Sequence, residues 1–237
     1  MNTRRFKLFA LLMGIVGLLI VGACARWIQS QHHQNTLNRQ LIAALMRDDT
    51  KTALAFVNAG ADPNTREVPT PAPSFTTLLN HLLHRSPVPV NNSPTALMFA
   101  CGIRWGSIRT GMVEEDVPLL RAMLAHGANV NAEDFFKHGA LYDAVAEARV
   151  HTVELLLQHG ANVNAQDEDG TTPLIMTNNV HLMSMSEGRD IARLLLAHGA
   201  DPNLRAYNGR TALQVAQHNG RGDLELIALL KQAAAKK

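Results

Sequence analysis

Apolar residues are distributed along the chain in two different ways. Residues 8–25 form one apolar run that contains no Asp, Glu, Lys or Arg. As a helix this run would be roughly 27 Å long at ~1.5 Å per residue, close to the ~30 Å hydrocarbon core of a bilayer. From about residue 39 onward, short apolar segments instead alternate with Gly- and Asn-containing turns. That second pattern predicts a series of short helices joined by tight turns.

The amino-terminal run has three interpretations. It is an uncleaved signal anchor, a bacterial lipoprotein signal in which Cys24 is lipidated, or a signal peptide cleaved at the pattern Ala23-Cys24-Ala25. Secretory signal peptides usually have about 7–15 apolar residues, so the greater length of residues 8–25 favours the anchor. Basic residues within 1–7 predict a stub that stays in the cytoplasm. The polar residues 26–38 are interpreted as a tether.

All three interpretations place the chain after residue 26 outside the cytoplasm. The anchor predicts a single-pass protein of a bacterial inner membrane, with residues 39–237 in the periplasm, and the lipoprotein is the alternative. A run that inserted in the reverse orientation would leave the same residues in the cytoplasm.

A repeated unit occupies the chain from residue 39 to the end. Four turns share the pattern Gly-Ala-Asp/Asn-x-Asn, and they start at Gly60, Gly127, Gly160 and Gly199. The apolar segments of the five units start at Leu41, Leu97, Leu141, Leu174 and Leu213. Where nothing is inserted, the unit recurs after about 33 residues. Three insertions interrupt it, at about 67–90, at about 103–115 and near 178–190.

These units resemble the ankyrin repeat family. The segments that carry the resemblance are TALMFAC (95–101), GALYDAV (139–145), TTPLIMT (171–177) and TALQVAQ (211–217), together with the four turns. The resemblance implies an all-α repeat solenoid of about five helix–turn–helix units, joined by β-turn fingers and preceded by the hydrophobic helix. The predicted units span about 39–66, 91–134, 135–167, 168–206 and 207–237.

The local chemistry of the units agrees with helices at these places. Thr95, Thr172 and Thr211 stand where a hydroxyl would cap a helix amino terminus, and Pro173 suits a first helical position. The repeated Gly residues suit a left-handed conformation after a helix. The chain departs from the family where T-P-L-H has His, since the residues there are Ile42, Met98, Tyr142, Ile175 and Gln214. We therefore expect the hydrogen bonds of that His to be lost.

Composition and net charge exclude several classes of protein and of partner. The chain is 46% hydrophobic and has two Cys, which excludes a disordered chain and a disulfide scaffold. Three of the 22 basic residues lie in 1–7, so 19 remain against 20 acidic residues. A nearly neutral repeat region argues against nucleic acid as the partner.

Catalytic and metal-binding patterns are weak. The sequence has no P-loop, GxSxG, HExxH or GxGxxG. His81 and His84 could share a helix face, but no spacing supplies a third metal ligand. Cys101 falls at a small inner-helix position, which indicates packing rather than a nucleophile. We therefore expect that the protein is not an enzyme and that it binds no cofactor, metal ion or small-molecule substrate.

Finger tips are the best candidates for binding a protein partner. Exposed aromatic residues and Arg dominate the energetics of protein interfaces. Phe135, Phe136 and Tyr207 are therefore the first candidates, although each could instead pack between neighbouring fingers. Further candidates are Arg66, Arg205 and Lys137 in the fingers and Trp105 in the second insertion.

The sequence thus predicts a non-catalytic protein–protein interaction scaffold, anchored in the membrane with its repeats on the periplasmic side. An envelope immunity protein that neutralises a toxin by direct binding is the alternative. A metal-dependent hydrolase that uses His81 and His84 is the alternative from another class.

Overall fold

Helices arranged in pairs make up the part of the chain that the computed structural model describes. That part is residues 3–66, 92–102, 116–178, 185–218 and 223–235, with side chains from residue 21 onward. The helices are α1 (Thr3–Met46), α2 (Thr50–Asn58), α3 (Ala96–Cys101), α4 (Val117–Ala125), α5 (Ala140–Ala146), α6 (Val150–Gln158), α7 (Pro173–Met176), α8 (Met185–Ala197), α9 (Ala212–His218) and α10 (Leu224–Ala235).

The pairs stack into two rows. The end of α1 packs on α3, and α3, α5, α7 and α9 follow one another in the inner row. The outer row consists of α2, α4, α6, α8 and α10, each in contact with the next. Within the described residues the architecture is an all-α repeat solenoid, as predicted, because each pair covers the apolar face of its neighbours.

Leucines at repeated positions form the core between the rows. Leu41, Leu97, Leu141 and Leu174, which mark the start of four units, are all buried. The outer row contributes Leu120, Leu156, Leu195 and Leu230, which are completely or almost completely buried. The repeat period of the sequence is therefore the period of the core.

The predicted helix starts are confirmed. The Thr95 hydroxyl accepts the Met98 N–H, and the Thr172 hydroxyl accepts the Ile175 N–H, in each case at the first turn of a helix. Thr211 does the same for α9, at 3.4 Å from the Gln214 nitrogen. Pro173 is the first residue of α7, where the absence of its N–H breaks no helical bond.

The expected loss of hydrogen bonds at the position of the missing His is wrong in two units. Sδ of Met98 accepts the Thr95 N–H at 3.3 Å, and Oε1 of Gln214 accepts the Thr211 N–H at 3.0 Å. Both side chains are long, flexible and carry an acceptor, so they reach back to the first N–H of the helix in the manner of a capping box.

The repeated turns adopt the backbone that their Gly residues allow. Gly60, Gly127, Gly160 and Gly199 all have φ between 81° and 94°, as predicted for a residue that follows a helix. The next polar residue of each turn then bonds within the turn. For example, the Asn129 carboxamide oxygen accepts the Asn131 N–H at 3.0 Å.

The last Asn of the turn motif joins successive units, and we call these residues the asparagine ladder: Asn64, Asn131 and Asn164. In each ladder residue, Nδ2 donates to the carbonyl of the repeated Gly in the next unit. Oδ1 accepts the backbone N–H of the residue two positions after that Gly. The Nδ2 distances are 3.0, 3.1 and 3.3 Å, to Gly127, Gly160 and Gly199. The Oδ1 distances are 2.6, 2.7 and 2.8 Å, from Asn129, Asn162 and Asp201. The motif therefore serves stacking rather than recognition.

The expected tether over residues 26–38 is wrong, because these residues belong to the continuous helix α1. They include no Gly or Pro that would break a helix. Gln34 donates to the Gly60 carbonyl at 2.8 Å, and Asn38 accepts the Asp62 N–H at 2.9 Å. With Leu37 also buried, the helix already packs on the first unit before residue 39.

Several predictions fall where the structure gives no description. Insertion 67–90, with His81 and His84, and insertion 103–115, with Trp105, lie outside the described residues, as does part of the third insertion. So do the side chains of the stub 1–7 and most of those in the apolar run 8–25. Among the described residues, no helix is both long and apolar enough to cross a membrane.

Candidate partner-binding surface

Among the described residues, three complete fingers project from the stacked units between the helix pairs. We name them the Phe finger (residues 133–139), the acidic finger (166–171) and the Tyr finger (205–211). Single β-bridges close the Phe finger and the Tyr finger at their bases, and the Asp167 N–H donates to the Thr171 carbonyl in the acidic finger at 3.1 Å.

Buried aspartates shape two of the three tips. Oδ1 of Asp134 accepts the N–H groups of Phe136 and His138, at 2.8 and 2.9 Å. Oδ1 of Asp167 accepts those of Asp169 and Thr171, at 2.9 and 2.7 Å. Such bonds from Asp to the backbone two and four residues on hold a turn in one conformation. The side chains of Asp134 and Asp167 therefore point inward and are buried.

The fingers lie side by side and are joined by backbone hydrogen bonds. The Glu168 N–H donates to the Phe136 carbonyl at 3.0 Å, and the Tyr207 N–H donates to the Asp169 carbonyl at 2.8 Å. The three tips therefore form one connected strip, which we call the finger strip.

Two aromatic side chains of the finger strip face solvent. Phe135 is 62% exposed and Tyr207 is 74% exposed. They occupy equivalent positions in their fingers, with Glu168 at the same position of the finger between them. Large exposed aromatic residues on an ordered backbone are typical anchors of protein interfaces.

The other candidate residues of the fingers differ in what they contact. Lys137 is exposed and has φ of 59°, while Phe136 is half-buried with its ring 5.7 Å from that of His138.

The two Arg candidates bond to other parts of the chain. Arg66 donates to the carbonyls of Ser93 and Glu133. Arg205 donates to the Gly209 carbonyl at 2.6 Å and to the Gln214 side chain at 3.3 Å. Both Arg residues thus bind the chain itself, and Phe135, Tyr207 and Lys137 are the candidates that present free surface.

Gly170 fixes the position of Tyr207. It has φ of 73°, and a Cβ atom at this residue would lie 2.8 Å from Cδ1 of Tyr207. Gly170→Ala should therefore lower the free energy of unfolding by about 1–2 kcal/mol, the cost of a left-handed alanine, and displace the Tyr207 ring. Urea denaturation and the Tyr207 ring chemical shifts measure the two effects. Gly209→Ala is the matched control, since it has φ of 79° but nothing within 4 Å of its Cβ. Equal ring shifts in both variants would contradict the packing described.

A small cavity lies behind the Phe finger. Its volume is about 50 Å³, and Lys137, Tyr142, Asp167 and Asn162 contribute to its wall. Ligand pockets are usually about 300–1,000 Å³, so this cavity has room for a few water molecules rather than for a cofactor.

Two residues near this cavity were missed by the sequence reasoning. The His138 ring stacks on Tyr142 with 4.1 Å between centroids and 6° between planes. Burial, followed by the charge of Asp167 and a hydrogen bond to it, raises the pKa of Tyr142. No sequence pattern marked His138, because its contacts with Tyr142 and Asp167 lie on a helix and on a different finger.

Asp143 is the third residue that the sequence reasoning missed. It is 2% exposed, and its Oδ2 has no hydrogen-bond partner among the described residues. Burial first, then the charges of Asp134 and Glu147, raise the pKa of this carboxyl well above its ordinary value. The sequence contains a signal for this residue, because other units have an apolar residue at the position of Asp143, namely Phe99, Met176 and Val215.

The two cysteines have different environments. Cys101 is completely buried, as predicted, and burial raises the pKa of its thiol, which makes it a poor nucleophile. Cys24 is exposed on α1. In the part of the chain that the structure describes, no group of three or more His, Cys, Asp or Glu could hold a metal ion.

Comparison with known proteins identifies the repeats. Residues 141–176 match the family described as ankyrin repeats (many copies), and residues 169–207 match the family described as ankyrin repeat. No curated protein matches the chain.

Proposed function

We propose that the chain binds a protein partner through the finger strip, because its ankyrin repeats indicate a protein–protein interaction scaffold. Ankyrin repeat proteins are typically non-catalytic interaction modules. The observation that carries the proposal is the exposure of Phe135 and Tyr207 on tips that buried aspartates and inter-finger hydrogen bonds hold in place.

An ordered strip suits recognition because little conformational entropy is lost when the partner binds. The tip backbone is already fixed by bonds to Asp134 and Asp167, so binding need not order it. The exposed charges on the strip have both signs, for example Lys137, Glu168 and Asp169. Recognition would therefore depend on the aromatic anchors and on shape more than on net charge.

Paired substitutions test this role. Phe135→Ala and Tyr207→Ala should each weaken binding of the purified partner by roughly tenfold or more, as loss of an aromatic hot spot does. Gln158→Ala, at an exposed position on α6 and outside the three fingers, should leave the affinity unchanged. Affinities can be measured by calorimetry once the partner is identified by crosslinking. Unchanged affinity in both aromatic variants would refute the role of the strip.

We further propose that the protein is held in a bacterial inner membrane by residues 8–25, with the repeats on the periplasmic side. The apolar run, the basic stub 1–7 and the exposed Trp27 and Ile28 just after the run support this arrangement. Since α1 continues without a break into the first unit, such an anchor would connect directly to the scaffold.

Cell fractionation of the wild type beside Cys24→Ala tests the anchor. We expect both proteins in the inner-membrane fraction after alkaline extraction, and we expect protease added to spheroplasts to digest the repeats. Release of Cys24→Ala alone would instead identify a lipoprotein. A soluble wild type, or repeats protected from protease, would contradict the proposed topology.

A further inference from the structure

His138 lies between two buried carboxylates that belong to different fingers. Its Nδ1 is 3.9 Å from Oδ2 of Asp134, in the Phe finger, and its Nε2 is 3.9 Å from Oδ2 of Asp167, in the acidic finger. The two carboxylates are almost fully buried, while the His138 side chain is 25% exposed and so remains in exchange with solvent protons.

The imidazole ring is held in this position by its neighbour on α5. Tyr142 stacks on the ring face, with 4.1 Å between the ring centroids and 6° between the ring planes. Tyr142 therefore supports the orientation of the His138 ring, in which one ring nitrogen faces the Phe finger and the other faces the acidic finger.

We propose that His138 is a pH-sensitive clamp that couples the Phe finger to the acidic finger. The protonated imidazolium carries a positive charge between Asp134 and Asp167 and attracts both. The neutral ring loses this charge. Because His changes charge between about pH 5 and 8, the coupling should be strong at mildly acidic pH and weaker at alkaline pH.

Other charged groups near the ring do not reverse this sign. Lys137 is exposed and lines the cavity with Tyr142 and Asp167, and Glu133 lines it as well. Asp169 and Asp143 lie close enough to affect Tyr142. Most of the groups around His138 are thus acidic, and they add to the attraction that a charged ring would feel.

The Tyr finger is an internal control, since it has neither member of the clamp. Ala206 stands where the other fingers have Asp134 and Asp167, and Arg210 stands where the Phe finger has His138. The bond from the Tyr207 N–H to the Asp169 carbonyl should therefore not respond to protonation of a histidine.

The clamp deepens the proposed function, because it would regulate the finger strip that we propose as the binding surface. Phe135 lies on the clamped Phe finger, so loosening this finger would cost binding entropy. The clamp itself is a property of the fold and can be tested without the partner. Its failure would therefore leave the role of Phe135 and Tyr207 in binding unaffected.

Amide hydrogen exchange followed by NMR in the full-length protein, in detergent micelles, tests the clamp. In the wild type, the protection factor of the Glu168 N–H should be roughly twofold to tenfold higher at pH 5.5 than at pH 8, the range expected for a partly buried ion pair. The Tyr207 N–H reports any change of the global stability with pH, so the protection factor of the Glu168 N–H is read relative to it.

His138→Gln should abolish the pH dependence at Glu168, whereas His126→Gln, an exposed histidine after α4, should preserve it. Should His138→Gln not fold, the comparison of Glu168 with Tyr207 in the wild type still decides. Equal protection of Glu168 at both pH values, or a pH dependence that persists in folded His138→Gln, would overturn the proposal.

Discussion

Replacing Asp143 with leucine should raise the free energy of unfolding by about 1–4 kcal/mol at neutral pH, as replacement of buried charged groups often does. The carboxyl is 2% exposed, has one oxygen without a partner among the described residues, and lies near the carboxylates of Asp134 and Glu147. Three other units have an apolar residue at this position. Asp143 is therefore expected to destabilise the native fold rather than to support it.

The pH dependence follows from the direction of the pKa shift. Burial, Asp134 and Glu147 raise the pKa of Asp143 in the folded state above its value in the unfolded chain. Between these two pKa values the native protein binds more protons than the unfolded one, so stability falls as pH rises. Asp143→Asn, which keeps the shape but not the charge, should thus gain little over the wild type near pH 4 and progressively more above it.

Urea denaturation from pH 4 to pH 8.5 checks both variants. Glu168→Gln is the matched control, because it removes the charge of an exposed carboxylate, and its effect should stay within about 0.5 kcal/mol. If the wild type is as stable as both Asp143 variants at every pH, the buried Asp143 carboxyl does not destabilise the fold, and the prediction is wrong.

The second large effect concerns the asparagine ladder. Asn131→Ala should lower the free energy of unfolding by about 1–3 kcal/mol, because two net hydrogen bonds of about 0.5–1.5 kcal/mol each are lost. The lost bonds are those to the Gly160 carbonyl and from the Asn162 N–H. Since neighbouring repeats are held by their interfaces, the loss should weaken the stack between the second and third units in particular.

Asn203 provides a control from the same motif. It stands at the ladder position of the fourth unit, but its side chain is exposed and makes no bond to the fifth unit among the described residues. Asn203→Ala should therefore change the stability by less than about 0.5 kcal/mol. Thermal or urea denaturation compares the two variants, and equal losses would contradict the ladder.

Local features of the fold were predictable from the sequence because they depend on neighbouring residues. The Thr95 and Thr172 caps and the left-handed Gly residues depend on a few adjacent positions, and they occur where predicted. The buried Leu residues repeat with the units because stacking gives each unit the same surroundings.

Features that depend on distant residues were not predictable in this way. The polar composition of residues 26–38 suggested a tether, but Gln34 and Asn38 find partners more than 20 residues away, at Gly60 and Asp62. Nothing in the local sequence specifies those partners. The helix therefore continues where composition alone indicated none.

The candidate surface could be predicted only in part, because some of its contacts also join residues that are distant in the sequence. Aromatic residues in finger tips could be named from the repeat register, and Phe135 and Tyr207 are exposed. The roles of the Arg residues could not, since Arg66 bonds to carbonyls of a different unit. His138 likewise depends on the stacking of two fingers and α5, which only the three-dimensional structure brings together.

Site-specific photo-crosslinking in living cells tests whether the scaffold binds its partner through the finger strip. A photoreactive phenylalanine analogue would replace Phe135, Tyr207 or, as the control, Gln158, an exposed residue of α6. We expect the first two positions to crosslink to the same protein, and we expect no crosslink from Gln158. Crosslinking at Gln158 alone, or no crosslinked protein at either finger position, would contradict a scaffold that binds through its finger strip.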